Sequence, residues 1–103
     1  MNYLPSVIVA AAFAISPLAT HAGDAAAGKA KTAVCMGCHG PDGNSTNPIW
    51  PKLAGQHAAY IVKALKDFKS GARKNPSMNA MVAQLTDEDI ENIAAYYASQ
   101  KQR

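Results

Sequence analysis

An all-α domain of three or four helices joined by long loops is what this sequence predicts, on three observations. Apolar residues recur at helical spacing in separated stretches, no stretch of useful length alternates as a strand does, and Gly, Pro and Asn gather between the helical stretches. The chain has 103 residues, enough for one domain. It is 49% hydrophobic, but alanine supplies much of that, so large core-forming side chains are few. A domain this small is marginal without further stabilisation. Long irregular loops also need something to pack on. A bound cofactor answers both needs.

Residues 1–22 read as a secretory leader. They contain no Lys, Arg, Asp or Glu; Val7 to Ile15 is an apolar run, followed by Ser16-Pro17 and a small residue at Ala22. The run falls short of the roughly 20 apolar residues of a bilayer span. The missing basic residue near Met1 departs from the usual leader and leaves an uncleaved anchor as the alternative. With cleavage after Ala22, the exported domain is 23–103. It carries the chain's ten Lys and Arg, its seven Asp and Glu and its net charge of +3.

The first helix starts at Asp24, a good N-cap, and runs through the alanine-rich Ala25 to Val34. Gly28 inside it costs about 1 kcal/mol against Ala and suits a close helix crossing. Gly40 to Pro48 is turn chemistry throughout. Gln56 to Ser70 forms a second helix, with Ile61, Leu65 and Phe68 on one stripe and Gly71 as its stop. Ala72 to Met81 reads as a second loop. The last helix is capped by Thr86, has Asp87, Glu88 and Asp89 in its first turn, and repeats Ile90, Ile93, Ala94 and Tyr97 at helical spacing.

Cys35-Met36-Gly37-Cys38-His39 is the attachment sequence for a c-type haem. Two intervening residues let both thiols reach the vinyl groups on one porphyrin edge, and the next residue carries an imidazole to the iron. A disulfide across so short a loop would stabilise little, and a thioredoxin-like pair would want a βαβ surround. A zinc site would need a fourth ligand such as His57.

Gly23-Asp24-Ala25-Ala26-Ala27-Gly28-Lys29-Ala30, the Cys35 to Asn44 segment, Pro51 to Tyr60, Leu85 to Ile90 and Ala94 to Tyr97 together resemble bacterial class I cytochromes c. Among these the likeness is to single-haem relatives of the two-haem cytochrome c-four. It covers essentially all of 23–103. It implies a small class I cytochrome c fold, three to four helices wrapped around one covalent haem c held by Cys35 and Cys38. Two propionates would bring the domain close to neutral.

His39 is the expected first iron ligand. Haem electron carriers commonly add a methionine, and the domain offers Met36, Met78 and Met81 besides His57. Met36 lies too close to the attachment cysteines to reach the opposite haem face. Met78, after Asn75-Pro76-Ser77, is the expected ligand, with Met81 left open and expected to pack inward. The resemblance agrees, since relatives place the ligand eight residues before the helix-capping residue, here Thr86. It also implies that a proline carbonyl nine residues after the histidine, that of Pro48, accepts the His39 ring N–H. Trp50 and Tyr60 are candidates to line the haem or reach a propionate, or else ordinary core residues. Gly28 and Tyr96 resemble the family's crossing of first and last helices.

A periplasmic single-electron carrier without catalytic residues follows from this reading. Its partners would be redox proteins: a quinol-oxidising complex, a terminal oxidase or reductase, or a dehydrogenase of which it could be a subunit. No nucleic acid is expected, and the membrane only through partner complexes, with the chain a monomer or weak homodimer. Lys63, Lys66 and Lys69 share a helix face that would suit an acidic partner or simply face water, partly neutralised by Asp67.

Overall fold

The computed structural model describes residues 2–6 and 23–103. The apolar run of the leader and the cut after Ala22 lie outside the described residues. Among the described residues five helices follow in order: α1 (Ala25–Lys31), α2 (Ala33–His39), α3 (Ala58–Ser70), α4 (Pro76–Val82) and α5 (Asp87–Ser99). No strand occurs among the described residues, and none of their helices is long and apolar enough to cross a membrane.

The expected first helix is divided at Thr32. The Thr32 hydroxyl donates to the Lys29 carbonyl at 2.8 Å and the side chain is buried. Such a local bond competes with the helical ladder, so the chain turns there and restarts as α2. The second difference is α4, in a stretch expected to be a loop. The Asn75 side chain accepts from the Met78 N–H at 3.0 Å, and Pro76 occupies the first turn, where its missing N–H costs nothing.

Helix α5 is the centre of the core. Its Ile90, Ile93, Ala94, Tyr96 and Tyr97 are buried against Ile61, Leu65 and Phe68 of α3 and Val82 of α4. Helix α1 crosses α5 at Gly28, where a Cβ would meet the Asn92 carbonyl oxygen at 1.9 Å. The atoms nearest to that Cβ are the Asn92–Ile93 backbone. Tyr96 donates its hydroxyl to the Pro41 carbonyl at 3.2 Å. The same crossing is closed by the Asp24 N–H donating to the Asn92 side chain at 2.8 Å.

The N-terminus of α5 forms a full capping box. The Asp89 N–H donates to the Thr86 hydroxyl and the Thr86 N–H to the Asp89 carboxylate, each at 3.0 Å. The Thr86 backbone N–H, helped by the Thr86 hydroxyl and Lys31, holds the Asp89 carboxyl below its usual value. A depressed folded value means that its stabilisation is complete above the unfolded value of about 3.9 and is lost as pH falls through the folded one. Thr86→Ala is expected to destabilise the protein by about 1 kcal/mol and to blunt that acid sensitivity, read as urea midpoints at neutral and acid pH. An unchanged midpoint at both would remove the cap from the account.

Candidate functional site

Helix α2 carries the attachment residues. Positions 35, 38 and 39 are related by three and four residues, so Cys35, Cys38 and His39 share one side of the helix. Cys35 is half-buried against the core, Cys38 is exposed and the two are not joined in a disulfide. Gly40, at φ 83°, ends α2, and its N–H donates to the Met36 carbonyl at 3.0 Å.

His39 is buried, with its Nδ1 2.8 Å from the Pro51 carbonyl oxygen. With Nδ1–H donating, Nε2 is left as the ring's lone-pair nitrogen, the tautomer a metal-bound imidazole needs. The acceptor is Pro51, twelve residues after the histidine, and not Pro48 as the resemblance implied. The reason is the course of the loop: the Leu53 and Ala54 N–H groups both donate to the Gly43 carbonyl, at 2.8 and 3.1 Å. This folds the segment back and brings the Pro51 carbonyl under the imidazole. Pro48 instead lines a cleft of about 590 Å³ with Ser45, Thr46, Asn47, Trp50, Pro51 and Lys52.

Neither Trp50 nor Tyr60 belongs to the packed core: Trp50 is 38% exposed and Tyr60 is 51% exposed. The core-packing alternative for both is thereby set aside. Met78 lies in the first turn of α4, half-buried and packed against the core. Met81 is 47% exposed, so it does not pack inward as the sequence suggested. His57 is exposed at the N-cap position of α3.

Sequence reasoning gave Tyr97 a core role only. Its ring is buried, and its hydroxyl has no hydrogen-bond partner among the described residues. Burial pushes the Tyr97 hydroxyl above its usual range, and the neighbouring Cys35 adds to the effect. Burial likewise raises the Cys35 thiol, opposed by the Tyr97 hydroxyl beside it. A polar atom orphaned next to an attachment sulfur fits a site completed by a covalently bound group. The donor set fits as well: two unpaired thiols and one oriented imidazole on a single helical face. No three His, Cys, Asp or Glu side chains among the described residues converge as a metal cluster, which leaves the zinc alternative without a ligand shell.

The three lysines of α3 are exposed, but two are engaged. Lys63 pairs with Asp67 at 2.5 Å, and Lys69 donates to the Leu85 carbonyl. That leaves Lys66 as the least committed charge of the trio.

Comparison with known proteins agrees with this geometry. The family model described as Cytochrome c matches residues 25–101. Cytochrome c4 of Pseudomonas aeruginosa is 53% identical over 87 residues, covering 84% of this chain and 43% of that protein. Cytochrome c-554(548) of Halomonas halodenitrificans is 48% identical over 83 residues, 78% of this chain and 100% of that protein. Among solved structures, reduced recombinant cytochrome c4 from Pseudomonas stutzeri superposes with a TM-score of 0.76 at 49% identity, covering 80% of this chain and 48% of that one. The chain thus spans about half the length of the cytochromes c4 it matches and all of the c-554(548) relative. It belongs to the cytochrome c family, with Cys35 and Cys38 as the covalent attachment points of its haem c.

Proposed function

We propose that this chain is a periplasmic single-electron carrier whose haem iron is ligated by His39 and Met78, exported by way of a leader at 1–22. The observation that carries the reading is the 2.8 Å contact between His39 Nδ1 and the Pro51 carbonyl. It commits one ring nitrogen and leaves the other for iron, on the helix that supplies both thiols. When bound, the haem would supply a one-electron couple, and a methionine ligand in addition to the histidine would raise its potential.

The chain's own residues do the rest. Cys35 and Cys38 fix the group to α2, His39 is held in one tautomer, and the first turn of α4 carries Met78, half-buried against the core. With both His39 and Met78 bound, the iron would have no position left for a substrate, which favours electron transfer over catalysis. Partners are then oxidoreductases that dock near the site: a quinol-oxidising complex, a terminal oxidase or reductase, or a dehydrogenase. Lys66 and the exposed flank of α3 suit an acidic docking surface.

The test is expression of the full chain with a periplasmic haem-attachment system, followed by oxidised and reduced visible spectra. The far-red band of sulfur-ligated ferric haem is expected in the wild type. Met78→Ala is expected to lose it and Met81→Ala to keep it. The reverse pattern would transfer the ligand to Met81. A high-spin wild-type spectrum that shifts with carbon monoxide would replace the carrier reading with a ligand-binding one. The intact mass of the purified protein is expected to equal residues 23–103 plus one haem.

A further inference from the structure

The Pro51 carbonyl that orients His39 sits in a long loop, and the structure holds that loop from both sides with one short stretch of chain. Downstream of Pro51, the Gly55 N–H donates to the Tyr97 carbonyl at 2.9 Å, and a Cβ at Gly55 would stand 3.5 Å from Gln100 and Gln102. Upstream, the Asn44 side chain behaves as an extra peptide group. Its amide donates to the Lys101 carbonyl at 3.0 Å, and its oxygen accepts from the Arg103 N–H at 2.8 Å. Arg103 also pairs with Asp42 at 2.6 Å, and Lys52, next to Pro51, donates to the Arg103 carbonyl. Gly43, between Asp42 and Asn44, provides the carbonyl that receives both the Leu53 and Ala54 N–H groups. The Asn44 clamp is therefore one residue from the carbonyl that sets the position of Pro51.

We propose that Asn44 is a positioning residue for the iron ligand: it straps the loop to residues 101–103, and the strap fixes the Pro51 carbonyl against His39. The inference rests on His39 ligation as read above. Residues 101–103 are exposed and follow the end of α5, and exposed segments outside regular structure open locally at little cost in free energy. When the strap opens, the Gly43 turn is released, the Pro51 carbonyl recedes and the Nδ1–H bond weakens. A weaker bond makes the imidazole a less basic ligand, which stabilises ferric iron less and raises the potential.

The experiment uses the haem-loaded full-length protein and two readouts that a purely structural role would not move. One is solvent exchange of the His39 ring N–H, followed by NMR in the reduced state. The other is the reduction potential. Asn44→Ala is expected to speed the exchange tenfold or more and to shift the redox equilibrium at least twofold toward the reduced form. Arg103→Pro removes the backbone N–H of the strap together with the Asp42 pair and is expected to move both readouts the same way. Arg103→Ala retains that N–H and is expected to move them less, while Asn44→Asp retains the acceptor and falls between Asn44→Ala and wild type. Wild-type exchange and potential in both Asn44→Ala and Arg103→Pro, whatever happens to their melting temperatures, would overturn the strap alone. A wild-type spectrum unchanged by His39→Ala would overturn the ligation reading, and the strap with it.

Discussion

Gly28→Val is expected to leave no cooperatively folded protein, and Gly28→Ala to destabilise it by about 3 kcal/mol, the upper part of the usual range for overpacking. A Cβ at position 28 would stand 1.9 Å from the Asn92 carbonyl oxygen and 2.8 Å from the Ile93 nitrogen. Both obstacles are backbone, so no side chain can rotate aside. Relief requires α1 to lift off α5, which would uncover Ile93 and Ala94, now 1% and 0% exposed. It would also break the Asp24–Asn92 hydrogen bond. A total stability of about 5–15 kcal/mol does not absorb a valine there. Gly37→Ala is the internal comparison: its Cβ meets nothing within 4 Å, and helix propensity should make it neutral or slightly stabilising. Denaturant midpoints of the haem-loaded variants test the contrast. Gly28→Ala melting with wild type would show that the crossing is looser than this geometry requires.

How much of this was legible in the sequence depends on the range of the interaction. Helices α3 and α5 were legible because their signals are local and redundant: apolar stripes, the Gly71 stop and the Thr86 cap all agree. The start of α4 was written in the chain too, as Asn75 at the cap and Pro76 in the first turn. The same two residues also spell a turn, and only the packing of Met78 and Val82 against the core decides between them. The break at Thr32 turns on one hydroxyl choosing the Lys29 carbonyl, a competition that helix propensity does not resolve.

At the site, the attachment motif was legible because its chemistry is fixed by spacing within a single helix turn. The acceptor for His39 was not. The resemblance pointed to Pro48, and Pro51 takes the role because Gly43 receives Leu53 and Ala54 across the loop. Gly43 is placed in turn by the strap between Asn44 and residues 101–103, close to 60 positions away in the chain. Long-range hydrogen bonds of this kind leave no periodic trace. The orphaned Tyr97 hydroxyl was hidden for a related reason: a tyrosine on an apolar stripe reads as packing until its oxygen is found without a partner.

Removing both attachment sulfurs is expected to change the character of stability as well as its size. In the double variant Cys35→Ala/Cys38→Ala, the proposed ligands His39 and Met78 remain, so on that reading haem can still bind, but it is free to leave. In the wild type a covalent tether keeps the group at an effective concentration on the order of millimolar even when the chain unfolds. Unfolding and refolding are then unimolecular, and the melting temperature is independent of added haem. Without the tether, the stabilisation follows RT ln(1 + [L]/Kd) and rises by about 1.4 kcal/mol for each tenfold increase in free haem. The protein part has little in reserve. Its core is one small cluster centred on α5, in a domain of a size that rarely stabilises itself through hydrophobic burial alone. The double variant is therefore expected to melt well below the wild type, with a midpoint that climbs with haem concentration, and with little helical circular dichroism when haem is withheld. Measuring melting curves across a haem titration tests this directly. A haem-independent midpoint equal to that of the wild type would mean that the five helices fold on the strength of α5 and its neighbours alone, and the attachment would then serve electron transfer without serving the fold.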